Sequence, residues 1–307
     1  MEFGPHLMIA VLEGAVTAAV LALMASGLSL VFGVMRVVNV AHGQFFMLGA
    51  VLAWAVSSAL GGGAWGFVAA LVLAPLIAGA LAVAADLTVL KRVGYDPERT
   101  IVATIGLLYI LQQAALMTYG PEARPVAPPF NTRLALPWVE FGPDGPGLIW
   151  PWGLSITSYK LFVMAAAAAV LVGLWLLMSR TRIGLVMRAT QLDGETAQAF
   201  GIPVGRVYAG VFGLGAALAA LAGVLIVPIQ QAHYLMGGEA LLLSFIVVII
   251  GGLGSLGGTV IAALLIGLSD GIVSVFFSPT LAKILATLLV ALVLVFRPQG
   301  LMGKAAR

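Results

Sequence analysis

Cysteine is absent from the 307-residue chain, which removes disulfides, thiolate metal sites and cysteine nucleophiles from consideration. Charge is scarce as well: Asp, Glu, Lys and Arg make up 9% of the residues, against roughly 25% in soluble domains. The three histidines are His6, His42 and His233. They are far apart and lack a partner at ligand or nucleophile spacing, so neither a metal centre nor a catalytic constellation is expected. No G-x-x-x-x-G-K-[ST] phosphate loop occurs, so the chain is not expected to hydrolyse ATP. Met1 to Ala10 holds Glu2 and no Lys or Arg. Without a basic leading region, the first apolar stretch reads as retained rather than cleaved.

What is abundant is apolar sequence: 62% of residues are hydrophobic and the mean hydropathy is +1.12. A water-soluble fold of this size exposes too much surface to hide so much apolar material, and disorder and collagen are excluded by the same composition. Lipid is therefore the expected solvent. The 38 glycines agree, since small residues let membrane helices approach closely where no hydrophobic force drives them together. The net charge of +3 comes from Lys and Arg scattered over short loops, which reads as a topology signal rather than a nucleic-acid surface.

Crossing ~30 Å of hydrocarbon takes about 20 helical residues with every amide paired internally. That template matches Ile9–Phe32, Val37–Leu60, Ala64–Leu90, Thr100–Tyr119, Tyr159–Met178, Val207–Gln230 and Leu281–Phe296. The stretch Ala240–Phe277 is too long for one span and is interrupted by Gly251, Gly252, Gly254, Gly257 and Gly258, so two short helices or a hairpin are expected there. The fold class is all-α, a polytopic integral membrane protein of about eight to nine transmembrane helices.

Positive charge marks the cytoplasmic side. Lys91, Arg92 and Arg99, then Arg180, Arg182, Arg188 and Arg206, and finally Arg297, Lys304 and Arg307 define three loops expected inside. The segment from Gly120 to Thr157 sets Arg124 and Arg133 against Glu122, Glu140 and Asp144 and is rich in Pro and Trp, so it is expected outside. Counting spans then puts the N-terminus outside and the C-terminus in the cytoplasm.

Two segments share a grammar of apolar run, interruption, and small-residue apolar run: Leu28 to Ala50 and Leu243 to Gly267. Paired interruptions of this kind suggest an inverted repeat and point to a transport pathway, because freed backbone groups are tolerated only where protein or water receives them. The expected pathway residues are Asn39, His42, Gly43 and Gln44 in the first break and Gly251, Gly252, Gly254, Gly257 and Gly258 in the second. Arg36 is expected to snorkel to the interface. Glu13 falls inside the first span, where a carboxylate needs a partner that the sequence does not name.

The polar segment Ser179–Arg206 is long for a chain with so little soluble sequence. Ala189–Phe200 is expected to form a short helix, stopped by Gly201 and reinforced by Pro203. From Arg188 this segment reads RATQLDGETAQAFGIPVGR; with GLSLVFGVMRVVNVAHGQFFMLGA, IIGGLGSLGGTVIAALLIGL and the C-terminal FRPQGLMGK, the chain resembles the LivH-type permeases of bacterial ABC importers for branched-chain amino acids. The resemblance covers nearly the whole chain. It implies one transmembrane permease domain over 1–307, with approximate halves 1–157 and 158–307 and a cytoplasmic coupling loop over 179–206. It also implies a LivM-like second permease, two cytoplasmic ATPase subunits and a periplasmic substrate-binding protein, in the inner membrane and without cofactor or nucleic acid. By that resemblance Glu195, Thr196, Ala197 and Gly201 form the core of an ATPase-coupling loop similar to the EAA type, flanked by Arg188 and Asp193; Thr196 stands where that loop has its first Ala. Urea or short-chain amides remain alternative cargoes, and an ion-coupled carrier is the alternative outside this class.

Overall fold

A backbone amide in hydrocarbon has no partner outside its own helix, and the apolar runs accordingly become helices. The computed structural model describes residues 3–135, 138–142, 145–149, 155–297 and 299–302, with the backbone alone for 138–142 and 145–149. Glu2, Asp144, Lys304, Arg307 and the side chain of Glu140 lie outside what is described. The helices are α1 (Phe3–Met35), α2 (His42–Ala59), α3 (Gly63–Ala85, prolonged by a π-helical turn over Asp86–Leu90), α4 (Pro97–Tyr119), α5 (Ser158–Arg180), α6 (Arg182–Leu192), α7 (Gly194–Ala199), α8 (Val204–Ile226), α9 (Met236–Gly251), α10 (Leu256–Phe276) and α11 (Pro279–Phe296). Among the described residues seven, α1, α3, α4, α5, α8, α10 and α11, are long and apolar enough to cross a membrane.

Between α4 and α5 the chain forms two small antiparallel ladders, β1 (Arg133–Ala135) with β4 (Ser155–Thr157) and β2 (Trp138–Gly142) with β3 (Gly145–Ile149). This end of the molecule is called the hairpin end; the opposite end, which carries α6 and α7, is the loop end. Ala240–Phe277 is divided between α9 and α10 by a turn at Gly252–Ser255, with Gly252 and Gly254 at φ 100° and 78°.

The packing is that of an inverted repeat. Helices α1 to α4 correspond to α8 to α11: α1 packs on α10 as α8 packs on α3, α2 on α3 as α9 on α10, and α2 on α4 as α9 on α11. The pairs α1 with α8 and α2 with α9 lie across the pseudo-twofold. Small residues set the distances, as expected where backbone contact replaces hydrophobic drive. A Cβ on Gly27 would lie 2.6 Å from the Gly215 carbonyl oxygen, and one on Gly215 would lie 2.9 Å from that of Gly27. The same reciprocity joins Gly79 and Gly213. Between the two repeats lie α5 to α7, which have no counterpart among the described residues of the first repeat.

The expected second break does not correspond to the first. α1 ends at Met35, and Arg36–Ala41 then turns back beside it, bringing His42 at the start of α2 within 3.0 Å of the Met24 carbonyl. That carbonyl is eleven residues from the end of α1, about 16 Å along its axis. The counterpart of this re-entrant segment is 227–235, between α8 and α9. Gly252–Ser255 is instead a turn at the loop end. Glycine serves both helix crossings and tight turns, so glycine content alone confused the two. α2 accordingly starts at His42 rather than Val37.

Candidate functional site

The N-termini of α2 and α9 meet inside the bundle. A Cβ on Gly43 would overlap the carbonyl oxygen of Gly237, and one on Gly237 would lie 2.5 Å from that of Gly43. The first re-entrant segment satisfies its amides with side chains: Asn39 Oδ1 accepts from Ala41 N at 3.1 Å, and Thr104 Oγ1 from α4 accepts from Val40 N at 3.2 Å. His42 is fully buried and its Nε2 hydrogen-bonds the Met24 carbonyl, which fixes the ring against α1 when Nε2 carries the proton. Asn39 Nδ2, His42 Nδ1, Gln44 Oε1 and the hydroxyls of Ser26, Ser29 and Ser244 are buried without a partner among the described residues, a concentration of polar groups that hydrocarbon packing alone does not call for. Asn39, His42, Gly43 and Gln44 all lie at this junction, in the re-entrant segment and the first turn of α2.

Beside this junction lies a cavity of about 140 Å³. α1 contributes Thr17, Val20, Leu21 and Met24, α2 contributes Phe46, the end of α8 Ile226, the second re-entrant segment Gln230 and His233, and α9 Met236, Glu239, Ala240 and Leu243. Its walls are aliphatic with a few hydrogen-bonding groups, and it is smaller than the ~300–1,000 Å³ pockets that hold drug-sized ligands. None of these residues is among the expected pathway set. The available signal was the polar run Gln230, Gln231 and His233 between two apolar runs, the same pattern that marks Asn39 to Gln44.

Gly251, Gly252, Gly254, Gly257 and Gly258 lie away from that junction, at the loop end. Gly251 and Gly258 face one another across the α9–α10 turn, Gly254 abuts Gly33 near the end of α1, and Leu301 N donates to the Ile250 carbonyl at 2.7 Å. Close packing accounts for Gly251, Gly254 and Gly258 and turn formation for Gly252 and Gly254, while Gly257 lies in the first turn of α10 with room for a Cβ beside it. Glu13 finds its partner in Lys160 at the start of α5.

At the loop end the expected helix Ala189–Phe200 is two helices. Asp193 is extended at φ −156° and caps α7, its Oδ1 accepting from Glu195 N at 3.1 Å and Thr196 N at 3.0 Å. An Asp side chain competes for backbone donors and so ends one helix and begins the next. The Thr196 hydroxyl, then its amide, hold the Asp193 carboxyl below the usual carboxylate range. Gly201, at φ 85°, stops α7. Arg188, Asp193, Glu195, Thr196 and Gly201 are exposed and Ala197 is buried. Leu192 and Phe200 expose 73% and 85% of their surface on this polar loop. Arg36 does more than reach the interface: its Nη2 donates to the Gln191 and Leu192 carbonyls at the end of α6, each at 3.4 Å.

The family described as branched-chain amino acid transport system / permease component matches residues 10–295. The high-affinity branched-chain amino acid transport system permease protein BraD of Pseudomonas aeruginosa is 28% identical over 306 residues, covering 97% of this chain and 96% of the relative. LivH of Escherichia coli K12, a permease protein described in the same words, is 28% identical over 310 residues, 95% of this chain and 94% of the relative. LivH of Salmonella typhimurium is 27% identical with the same coverage. No solved structure matches at a significant level.

Proposed function

Because the chain belongs to the family of branched-chain amino acid transport system permease components, we propose that it is the membrane subunit through which a bacterial ABC importer passes leucine, isoleucine or valine across the inner membrane. The observation that carries this reading is the cavity walled by both repeats beside the junction of α2 and α9. Its aliphatic walls suit a branched side chain. The positive ends of two helix dipoles beside it suit a carboxylate; Gln230 and His233 offer hydrogen-bond acceptors to an ammonium group, and Glu239, whose Oε2 accepts from Lys283 Nζ at 2.9 Å, has its second carboxylate oxygen to offer.

Arg36, Lys91, Arg92, Arg99, Arg180, Arg182, Arg188, Arg206 and Arg297 gather at the loop end, against Arg124, Arg133, Lys160 and Lys283 toward the hairpin end. By the positive-inside rule the loop end is cytoplasmic. The N-terminus is then outside, the C-terminus inside, and α6–α7 faces two ATPase subunits. A LivM-like second permease completes the membrane part, and a periplasmic binding protein delivers cargo at the hairpin end. ATP-driven closure of those ATPases pushes α6–α7, and the two repeats rock about their shared junction between outward and inward openings. Specificity rests mainly with the binding protein, and the cavity makes contacts weak enough to release substrate.

The test is uptake of labelled leucine by vesicles holding the complete assembly. Ala240→Trp, which fills the cavity, is expected to cut uptake on the order of tenfold or more with the ATPases still attached. Undiminished uptake in that variant overturns the cavity as the route, and uptake by the isolated chain without nucleotide overturns the importer reading.

A further inference from the structure

The end of α6 is tied to both repeats at once. From the first repeat, the Arg36 guanidinium reaches the Gln191 and Leu192 carbonyls, each at 3.4 Å. Toward the second, Gln191 Nε2 donates to the Gly254 carbonyl in the α9–α10 turn at 3.4 Å. The Gln191 and Leu192 carbonyls form the negative end of the α6 dipole, where a cation is favoured. Arg36 is also the first residue of the re-entrant segment, with φ 55°, a conformation uncommon for a residue with a side chain. Only Val37–Ala41 separates it from the N-terminus of α2, which begins beside the cavity and supplies Phe46 to its wall.

We propose that Arg36 is a positioning residue that couples movement of α6–α7 to the substrate route, its guanidinium pulling the first re-entrant segment, and with it the start of α2, when the loop moves. This rests on the reading that α6–α7 receives the ATPases. Gln191 holds the α9–α10 turn against the same helix end, so the repeats receive the motion together. The guanidinium suits the task because its planar fork presents several donors to two adjacent carbonyls.

The left-handed backbone at Arg36 supplies a clean variant. Arg36→Gly keeps a residue at ease at φ 55° and removes the side chain together with its guanidinium. In the full assembly with binding protein, uptake should fall on the order of tenfold, the scale of losing a charged hydrogen-bonding group, while ATP hydrolysis changes less than about twofold. The readout is ATP hydrolysed per substrate taken up, which should rise; Arg36→Lys, which keeps the charge, should recover part of the loss. A merely structural residue would lower uptake and hydrolysis together and leave that ratio fixed, which overturns the proposal, as does unchanged uptake. Glu195→Arg separates the underlying reading: if it leaves ATPase attachment and uptake intact, the docking assignment fails and the proposal with it. If Glu195→Arg releases the ATPases but Arg36→Gly leaves the ratio unchanged, the tie alone fails.

Discussion

The two re-entrant segments occupy mirrored places and are held in different ways. Arg36–Ala41 is held at the loop end by a side chain, the Arg36 guanidinium on the carbonyls ending α6. Segment 227–235 is held at the hairpin end by backbone: Arg124 N donates to the Ala232 carbonyl at 2.8 Å, and Ala232 N donates to the Arg124 carbonyl at 2.9 Å. The Arg124 side chain then packs over Trp54 at 4.9 Å and donates to the Tyr119 carbonyl at 3.2 Å. A two-bond backbone bridge backed by a cation–π contact is stiff, whereas a long guanidinium reaching exposed carbonyls can follow a moving partner. The difference places the compliant tie where α6 and α7 present their surface and the stiff one at the opposite face.

The largest effect should come from the point where the segments deliver their helices. Gly43→Ala puts a Cβ into the Gly237 carbonyl with backbone on both sides, and overpacking of this kind costs about 1–3 kcal/mol. Uptake should fall with it because α2 and α9 are pushed apart. Among the described residues Gly257→Ala meets nothing nearer than the Met302 sulfur at 3.8 Å and should be neutral or more stable by up to about 1 kcal/mol from helix propensity. Thermal unfolding in detergent and uptake in vesicles check the pair. Equal losses would break the distinction between a junction of helix ends and a glycine turn.

That distinction shows what the sequence could convey. Spans were legible because the length of an apolar helix and the width of the bilayer are set by the same arithmetic, and α3, α5 and α11 fall close to the expected limits. The first re-entrant segment was legible because Asn39, His42 and Gln44 interrupt apolar sequence with groups that lipid penalises. Its counterpart was not: Gln230 sits where a helix was expected to end anyway, so Gln231 and His233 read as loop. The glycines from Gly251 onward drew attention because close packing and a positive-φ turn require the same residue as a broken helix. Asp193 dividing α6 from α7 was hidden for a related reason, since Asp is tolerated in a helix and also caps one, and only the geometry decides.

The two histidines sharpen the comparison at intermediate scale. His42→Ala removes the hydrogen bond to the Met24 carbonyl and leaves that site underfilled, so stability should fall by about 1–3 kcal/mol. His233 lines the cavity from the stiffly held segment, so His233→Ala should leave stability unchanged. It should instead weaken half-maximal uptake on the order of fivefold, the scale of one hydrogen bond. Calorimetry and concentration-dependent uptake separate the two. A stability loss in His233→Ala as large as that in His42→Ala would mean that the second segment, like the first, is part of the packed interior.

The smallest expected effect concerns acid, and it follows from the compliant side alone. The Asp193 carboxyl lies below its ordinary value because the Thr196 hydroxyl and amide, and the Glu195 amide, stabilise its charged form in the folded chain. Its contribution to α7 is therefore complete above the unfolded carboxylate pKa of about 3.9. It is lost as pH falls through the lower folded value. Near neutrality α7 should show no pH dependence from this source, and in acid the Glu195 and Thr196 amides should exchange hydrogen faster. Asn caps a helix about as well as Asp but does not titrate, so Asp193→Asn should keep α7 at neutral pH and abolish its acid fraying. The Arg124–Ala232 bridge is made of backbone groups that do not titrate, so its amides should stay protected across the same range. Acid exchange at Ala232 matching that at Thr196 would show that the two ties loosen together and that the contrast between them is not local.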